Sequence, residues 1–197
     1  MSDEASHHPV LGAAFHKERR SLRLTGMWLF LGSEVMFFTA FFSAYIVARS
    51  AAPGTVVMPL ERMYGALNTV VLITSSFTMA LAVLYSKKAD RVRTGRYLAL
   101  TFLLACCFLV IKGIEYTHHF EAGDFPSHDI FFGFYFLLTG FHALHVIGGM
   151  ITIGILWWRN RRGDFDVNYN DPIELCGIYW HFVDLVWIFL FPALYLL

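Results

Sequence analysis

Five stretches of this chain are each long and apolar enough to cross a lipid bilayer, and that feature decides what it can fold into. They run from Leu24 to Ala48, Tyr64 to Tyr85, Tyr97 to Tyr116, Ile130 to Trp158 and Pro172 to Leu197. A helix needs roughly 20 apolar residues to span about 30 Å of hydrocarbon. Water cannot satisfy a backbone inside that layer, so each stretch must bond its own amides as a helix. The second is the most polar, "NTVVLITSSFTM", yet its short hydroxyl side chains bond back to the preceding turn and keep it helical. The expected fold is all-α: an integral membrane bundle of five transmembrane helices over residues 24–197. Residues 1–23 form a polar N-terminal cytoplasmic tail, expected to be a separate, mobile surface segment.

Composition excludes the main alternative. The chain is 57% hydrophobic and only 15% charged, too little polar surface to cover a water-soluble domain of this size. A cleavable leader is not expected, because the first apolar run is too long for a signal-peptide core. Cys106, Cys107 and Cys176 show no CxxC spacing and are expected to pack as small hydrophobes.

The loops differ in charge. Lys17, Arg19, Arg20 and Arg23 precede the first span, Lys87, Lys88, Arg91, Arg93 and Arg96 join the second to the third, and Arg159, Arg161 and Arg162 follow the fourth. The other side holds only Arg49 and Arg62, and its loop "THHFEAGDFPSHD" has acids but no Lys or Arg. Cytoplasmic loops carry the excess of Lys and Arg, so the N terminus is placed in the cytoplasm and the C terminus outside. Tyr64, Tyr85, Tyr97, Tyr116, Trp157 and Trp158 fall near the interfaces, as an aromatic belt would.

Ionisable side chains within the spans are costly and need partners or a role. At about 1.5 Å per residue, Glu34, His142, His181 and Asp184 all come out roughly 13 to 18 Å deep, on three different helices. Glu174, Gly177, His181 and Asp184 share one helical stripe, as do Thr139, His142, His145 and Gly149. Ala40, Ala44 and Ala48 form a small-residue strip that would let a neighbouring helix approach.

These residues admit more than one chemistry. His142, His145, His181 and Asp184 have the residue types of a haem, copper or iron site, but nothing in their spacing demands one. The favoured account is a hydrogen-bonded polar core in which the His181 imidazole takes Asp184 and fixes helix register. Glu34 is either a proton-exchanging or lipid-contacting group, or a protonated acid donating one interhelical hydrogen bond. Lys112 and Glu115, three apart, are expected to pair at the interface on the surface of their helix. The loop residues His118, His119, Glu121, Asp124, His128 and Asp129 are read as a solvated acidic loop rather than a metal site.

Four stretches give the chain a resemblance: "GSEVMFFTAFFSAY", "KGIEY", "TGFHALHVIGG" and "GIYWHFVDLVWIFLF". From about Leu24 to the C terminus the chain resembles subunit III of the haem-copper terminal oxidases, the cytochrome c and quinol oxidase family. The third and fourth stretches, in this order and separation, are the specific ones. The resemblance implies an accessory subunit lying against the catalytic haem-copper subunit I in the bacterial cytoplasmic (inner) membrane. It implies haem and copper in partner subunits, and no metal, cofactor or catalytic residue in this chain. Such a subunit stabilises the catalytic one, supports its proton uptake and can bind phospholipid. Its partners are the other oxidase subunits and membrane lipid, with no nucleic acid. Glu34, Glu115, His142, His145, His181 and Asp184 match the family's buried polar core. The mitochondrial form has seven spans, and this chain lacks the first two, as short bacterial members do. Three other functions stay open on the residues: an accessory protein of a nitric oxide reductase system, a free-standing haem-binding cytochrome, and a small proton-coupled transporter carrying its proton on Glu34.

Overall fold

The computed structural model describes residues 9–51, 59–122, 130–165 and 171–196. The described residues form five helices, each with a stretch long and apolar enough to cross a membrane: α1 (Pro9–Ala51), α2 (Pro59–Lys87), α3 (Arg91–Ala122), α4 (Ile130–Arg162) and α5 (Asp171–Phe191). A π-helical turn, Pro192–Leu196, follows α5. The bundle expected from the apolar runs is therefore present. The tail departs from expectation, because α1 begins at Pro9 and residues 9 to 23 run straight into the first span as one helix. Proline suits a first helical position, where its missing N–H has no partner to lose.

Helices α2 to α5 close a ring, α2 packing on α3 and α5, and α4 packing on α3 and α5. Helix α1 lies outside that ring, against α4 and α5. The ring is filled by large side chains from all four helices, among them Leu72, Met79, Leu98, Phe108, Leu138, Ile153, Trp180 and Trp187. The inner face of α1 is narrower and carries Leu31, Phe38 and Tyr45. Ala40 and Ala44 are exposed and Ala48 is half-buried, so the small-residue strip of α1 does not receive a neighbour within the chain.

Polar chemistry terminates the helices. Ala89 turns the chain between α2 and α3 with φ of 52°, and the Asp90 carboxylate then accepts from the Arg93 N–H at 3.0 Å, an N-cap for α3. Gly163, φ 86°, closes α4 in the left-handed conformation that glycine adopts at little cost, its N–H donating to the Arg159 carbonyl at 3.1 Å. Beyond α5, Pro192 has no N–H to continue the ladder, and the wider π turn begins there. Tyr45 of α1 donates to the Ala193 carbonyl within that turn at 2.9 Å.

Candidate functional site: the polar clusters of the bundle

The largest buried polar group joins α3, α4 and the π turn. Lys112 and Glu115, one helical turn apart, are 4% and 1% exposed. The Lys112 ammonium donates to Glu115 Oε2 at 3.1 Å, to the Tyr195 hydroxyl at 2.6 Å and to the Tyr135 hydroxyl at 3.2 Å. Tyr135 and Tyr195 each donate to Glu115 Oε1 at 2.5 Å. Within the group each phenol accepts once from the ammonium and donates once to the carboxylate, which accepts three times. Aromatic faces enclose the charge, with Trp187 and Tyr116 at 5.3 and 5.4 Å from Lys112 Nζ. The pair expected on the helix surface therefore lies inside the bundle. Sequence spacing identified the two partners but not the phenols, which come from elements 20 and 80 residues away. The available signal was two tyrosines within apolar runs, one of them just after a proline.

Glu34 is tied to His145. Its Oε2 is 3.0 Å from His145 Nε2, and both side chains are 18% exposed. His145 Nδ1 lies 2.7 Å from the Phe141 carbonyl, which can only accept, so Nδ1 carries a hydrogen. Nε2 then either accepts the proton of a Glu34 carboxylic acid or, as imidazolium, donates to the carboxylate. In both cases one proton bridges the side chains and the pair is neutral. Of the two accounts of Glu34, the interhelical hydrogen bond is present, with His145 as the partner on α4. Replacing Glu34 with Leu is expected to weaken the seat of α1 by about 1 kcal/mol, because such intramembrane bonds average below 2 kcal/mol. Cysteine cross-linking between Phe37 and Phe141, whose rings lie 5.3 Å apart, would report the loss as lower yield. An unchanged yield would show the bond to be dispensable.

His142 is fully buried on α4, its ring 5.7 Å from Phe108 and 5.2 Å from Trp187. Neither ring nitrogen has a hydrogen-bond partner among the described residues, and the same holds for the Asn68 amide on α2.

The pairing expected between His181 and Asp184 is not what forms. His181 Nδ1 instead contacts the Ser76 hydroxyl of α2 at 2.7 Å, and the imidazole stands exposed on the outer face of the bundle. Asp184 is 4% exposed, and neither carboxylate oxygen has a hydrogen-bond partner among the described residues. Three residues leave two side chains about 60° apart on a helix, enough to send one to the edge and the other inward.

At the end of the bundle where α5 starts, a charged clasp gathers three helices. Arg20 of α1 reaches Glu174 at 2.7 Å and Asp171 at 3.4 Å, Arg23 reaches Asp171 at 3.7 Å, and Lys87 of α2 reaches Glu174 at 2.9 Å. In the sequence these cations mark orientation, and their acids are legible as the carboxylates at the start of the last span. Nearby, the Asn160 amide donates to the Arg91 carbonyl at 2.8 Å, so the basic segments of α1, α2, α3 and α4 meet at one end. In the acidic loop, His119 is buried against Tyr135, while Asp124, His128 and Asp129 lie outside the described residues. Cys106, Cys107 and Cys176 are free thiols.

The geometry is thus one of helix-to-helix ties, and Glu34, Lys112, Glu115 and His145 among them lie in the stretches that carry the resemblance. Comparison with known proteins agrees. The chain matches the family described as "Cytochrome c oxidase subunit III" over residues 2–197. It is 35% identical over 182 residues to the probable cytochrome c oxidase subunit 3 of Nocardia farcinica, an alignment covering 90% of this chain and 89% of that protein. It is 35% identical to the cytochrome c oxidase subunit 3 of Synechocystis over 188 residues, 92% of this chain and 78% of the relative. The probable subunit 3 of Mycobacterium leprae is 35% identical over 179 residues, 90% of this chain and 89% of its own. The chain belongs to the cytochrome c oxidase subunit III family.

Proposed function

We propose that this chain is a non-redox accessory subunit of a proton-pumping haem-copper terminal oxidase in a bacterial cytoplasmic membrane. It stabilises the catalytic subunit and supports its proton uptake, with haem and copper held by partner subunits. The observation that carries this reading is the use to which the buried charges are put. Lys112, Glu115, Tyr135 and Tyr195 are spent on one another, and Glu34 is spent on His145. Such groups fix helix positions, which is what a subunit that braces another requires. The proton shared by Glu34 and His145, on a half-buried face, supports the second role. The concentration of Arg and Lys at the α5 start supports a cytoplasmic N terminus and an external C terminus. Bound phospholipid fits the broad apolar outer surface, where Phe77, Leu103, Leu144 and Phe189 are each 60% exposed or more.

The test is purification from native membranes through a tag on this chain. A haem- and copper-bearing partner should be recovered with it, and mass spectrometry should identify that partner as an oxidase catalytic subunit. Recovery of this chain without any haem-bearing protein would refute the proposal.

A further inference from the structure

The basic end of α4 carries a stripe that no tie within the bundle uses. Ile151, Ile155, Trp158 and Arg162 follow one another at offsets of four, three and four, which is one face of a helix. The first three are 60%, 54% and 50% exposed, so this face looks away from the ring. The guanidinium carbon of Arg162 lies 3.5 Å from the centre of the Trp158 ring, and beside it that of Arg161 lies 4.3 Å from the Trp157 ring. Neither guanidinium pairs with an acid among the described residues, and Asp164, the next acid along the chain, is taken by Arg159 at 3.2 Å. From Ile151 to Arg162 the stripe rises roughly 16 Å, about the depth of one leaflet.

Arginine suits a phosphate, because its planar fork donates two parallel hydrogen bonds and it is more weakly hydrated than an ammonium. An indole beneath it holds the cation at the membrane surface without neutralising it. We infer that this end of α4 is a binding site for an anionic phospholipid, its phosphate held by Arg161 and Arg162 and one acyl chain laid along Trp158, Ile155 and Ile151. The ligand class follows from charge. Two cations without acids attract a headgroup of net negative charge, whereas a zwitterionic headgroup brings a cation of its own against them. A free phosphate would engage the guanidiniums but leave the apolar part of the stripe unused. The inference rests on the bound phospholipid proposed above and narrows it to one site and one headgroup charge.

The experiment is lipid photolabelling of the full chain, purified with whatever partners accompany it and placed in phosphatidylcholine nanodiscs. A trace of phosphatidylglycerol with a photoreactive acyl chain is added, and to a parallel sample phosphatidylcholine bearing the same chain. Mass spectrometry should map phosphatidylglycerol adducts to Ile151, Ile155 or Trp158, several-fold above those of phosphatidylcholine. Arg162→Gln should lower the phosphatidylglycerol adducts about 5-fold, and Arg161→Gln with Arg162→Gln roughly 30-fold, at about 1 kcal/mol per guanidinium. Both arginines are exposed, and labelling at Leu103 of α3 and Phe189 of α5 should stay as it was, which shows the bundle intact. Equal labelling by the two lipids overturns the inference, as does a double variant that labels like the parent. So does a photoreactive residue at Ile155 that joins another protein rather than lipid. A purified chain without any haem-bearing partner would sink the accessory function instead, and the labelling comparison would still stand.

Discussion

Replacing Lys112 with Met is expected to destabilise the bundle by about 3 to 5 kcal/mol, the cost of leaving one member of a buried charge pair alone. Without the ammonium, the Glu115 carboxylate keeps two phenol donors but loses its counter-charge in a site only 1% exposed. Glu115→Leu should cost as much, since the Lys112 ammonium would then keep its two phenol oxygens but lose the Glu115 carboxylate. The double replacement should recover most of either loss, because it removes both charges and leaves the Tyr135 and Tyr195 hydroxyls, 3.2 Å apart, to bond each other. Unfolding of the detergent-solubilised chain measures all three variants. Additive losses in the double variant would mean that the two residues act separately.

Gly149→Val is the second large effect. A Cβ at Gly149 would stand 2.7 Å from two ring carbons of Trp180. That indole cannot move aside, because Trp180 is fully buried and its Nε1 donates to Ser75 Oγ at 3.1 Å. Overpacking of this kind costs about 1 to 3 kcal/mol, more than the roughly 1 kcal/mol a helix gains when glycine is replaced. Gly32 is the control, since nothing lies within 4 Å of its would-be Cβ and Gly32→Ala should be neutral or stabilising. The melting temperature should fall for Gly149→Val and hold for Gly32→Ala. Equal behaviour would show that α4 and α5 do not approach as closely as described.

Much of this architecture was legible because hydrocarbon permits so few solutions. An apolar run of the right length has one fold available, and the loops inherit their sides from it. The helix ends were less legible. Lys87, Arg91, Glu121 and Asp171 are polar yet helical, because a helix does not stop where the hydrocarbon does. The tail was misjudged for the same reason: its charges marked the membrane surface, while Arg20 and Arg23 grip α5 as part of α1.

The site residues divide along a physical line. Spacing within one helix predicts contacts within it, and Lys112 with Glu115 was found that way. Contacts between helices depend on rotation and on distant sequence, so the Glu34–His145 tie, spanning 111 residues, could not be read from spacing. Rotation also undid the His181–Asp184 pair. A stripe with offsets of four and three fixes a face only to within about 60°, and Ser76 of α2 was there to compete for the imidazole.

We propose above that Glu34, Glu115, His145 and His181 tie helices together while redox chemistry belongs to a neighbouring polypeptide. The absorbance spectrum of the tagged complex, taken before and after this chain is stripped from its partners, tests it most directly. Haem bands should remain with the partner fraction, leaving this chain folded and colourless. A Soret band that stays with the separated chain, and vanishes when His142 or His145 is replaced, would contradict it.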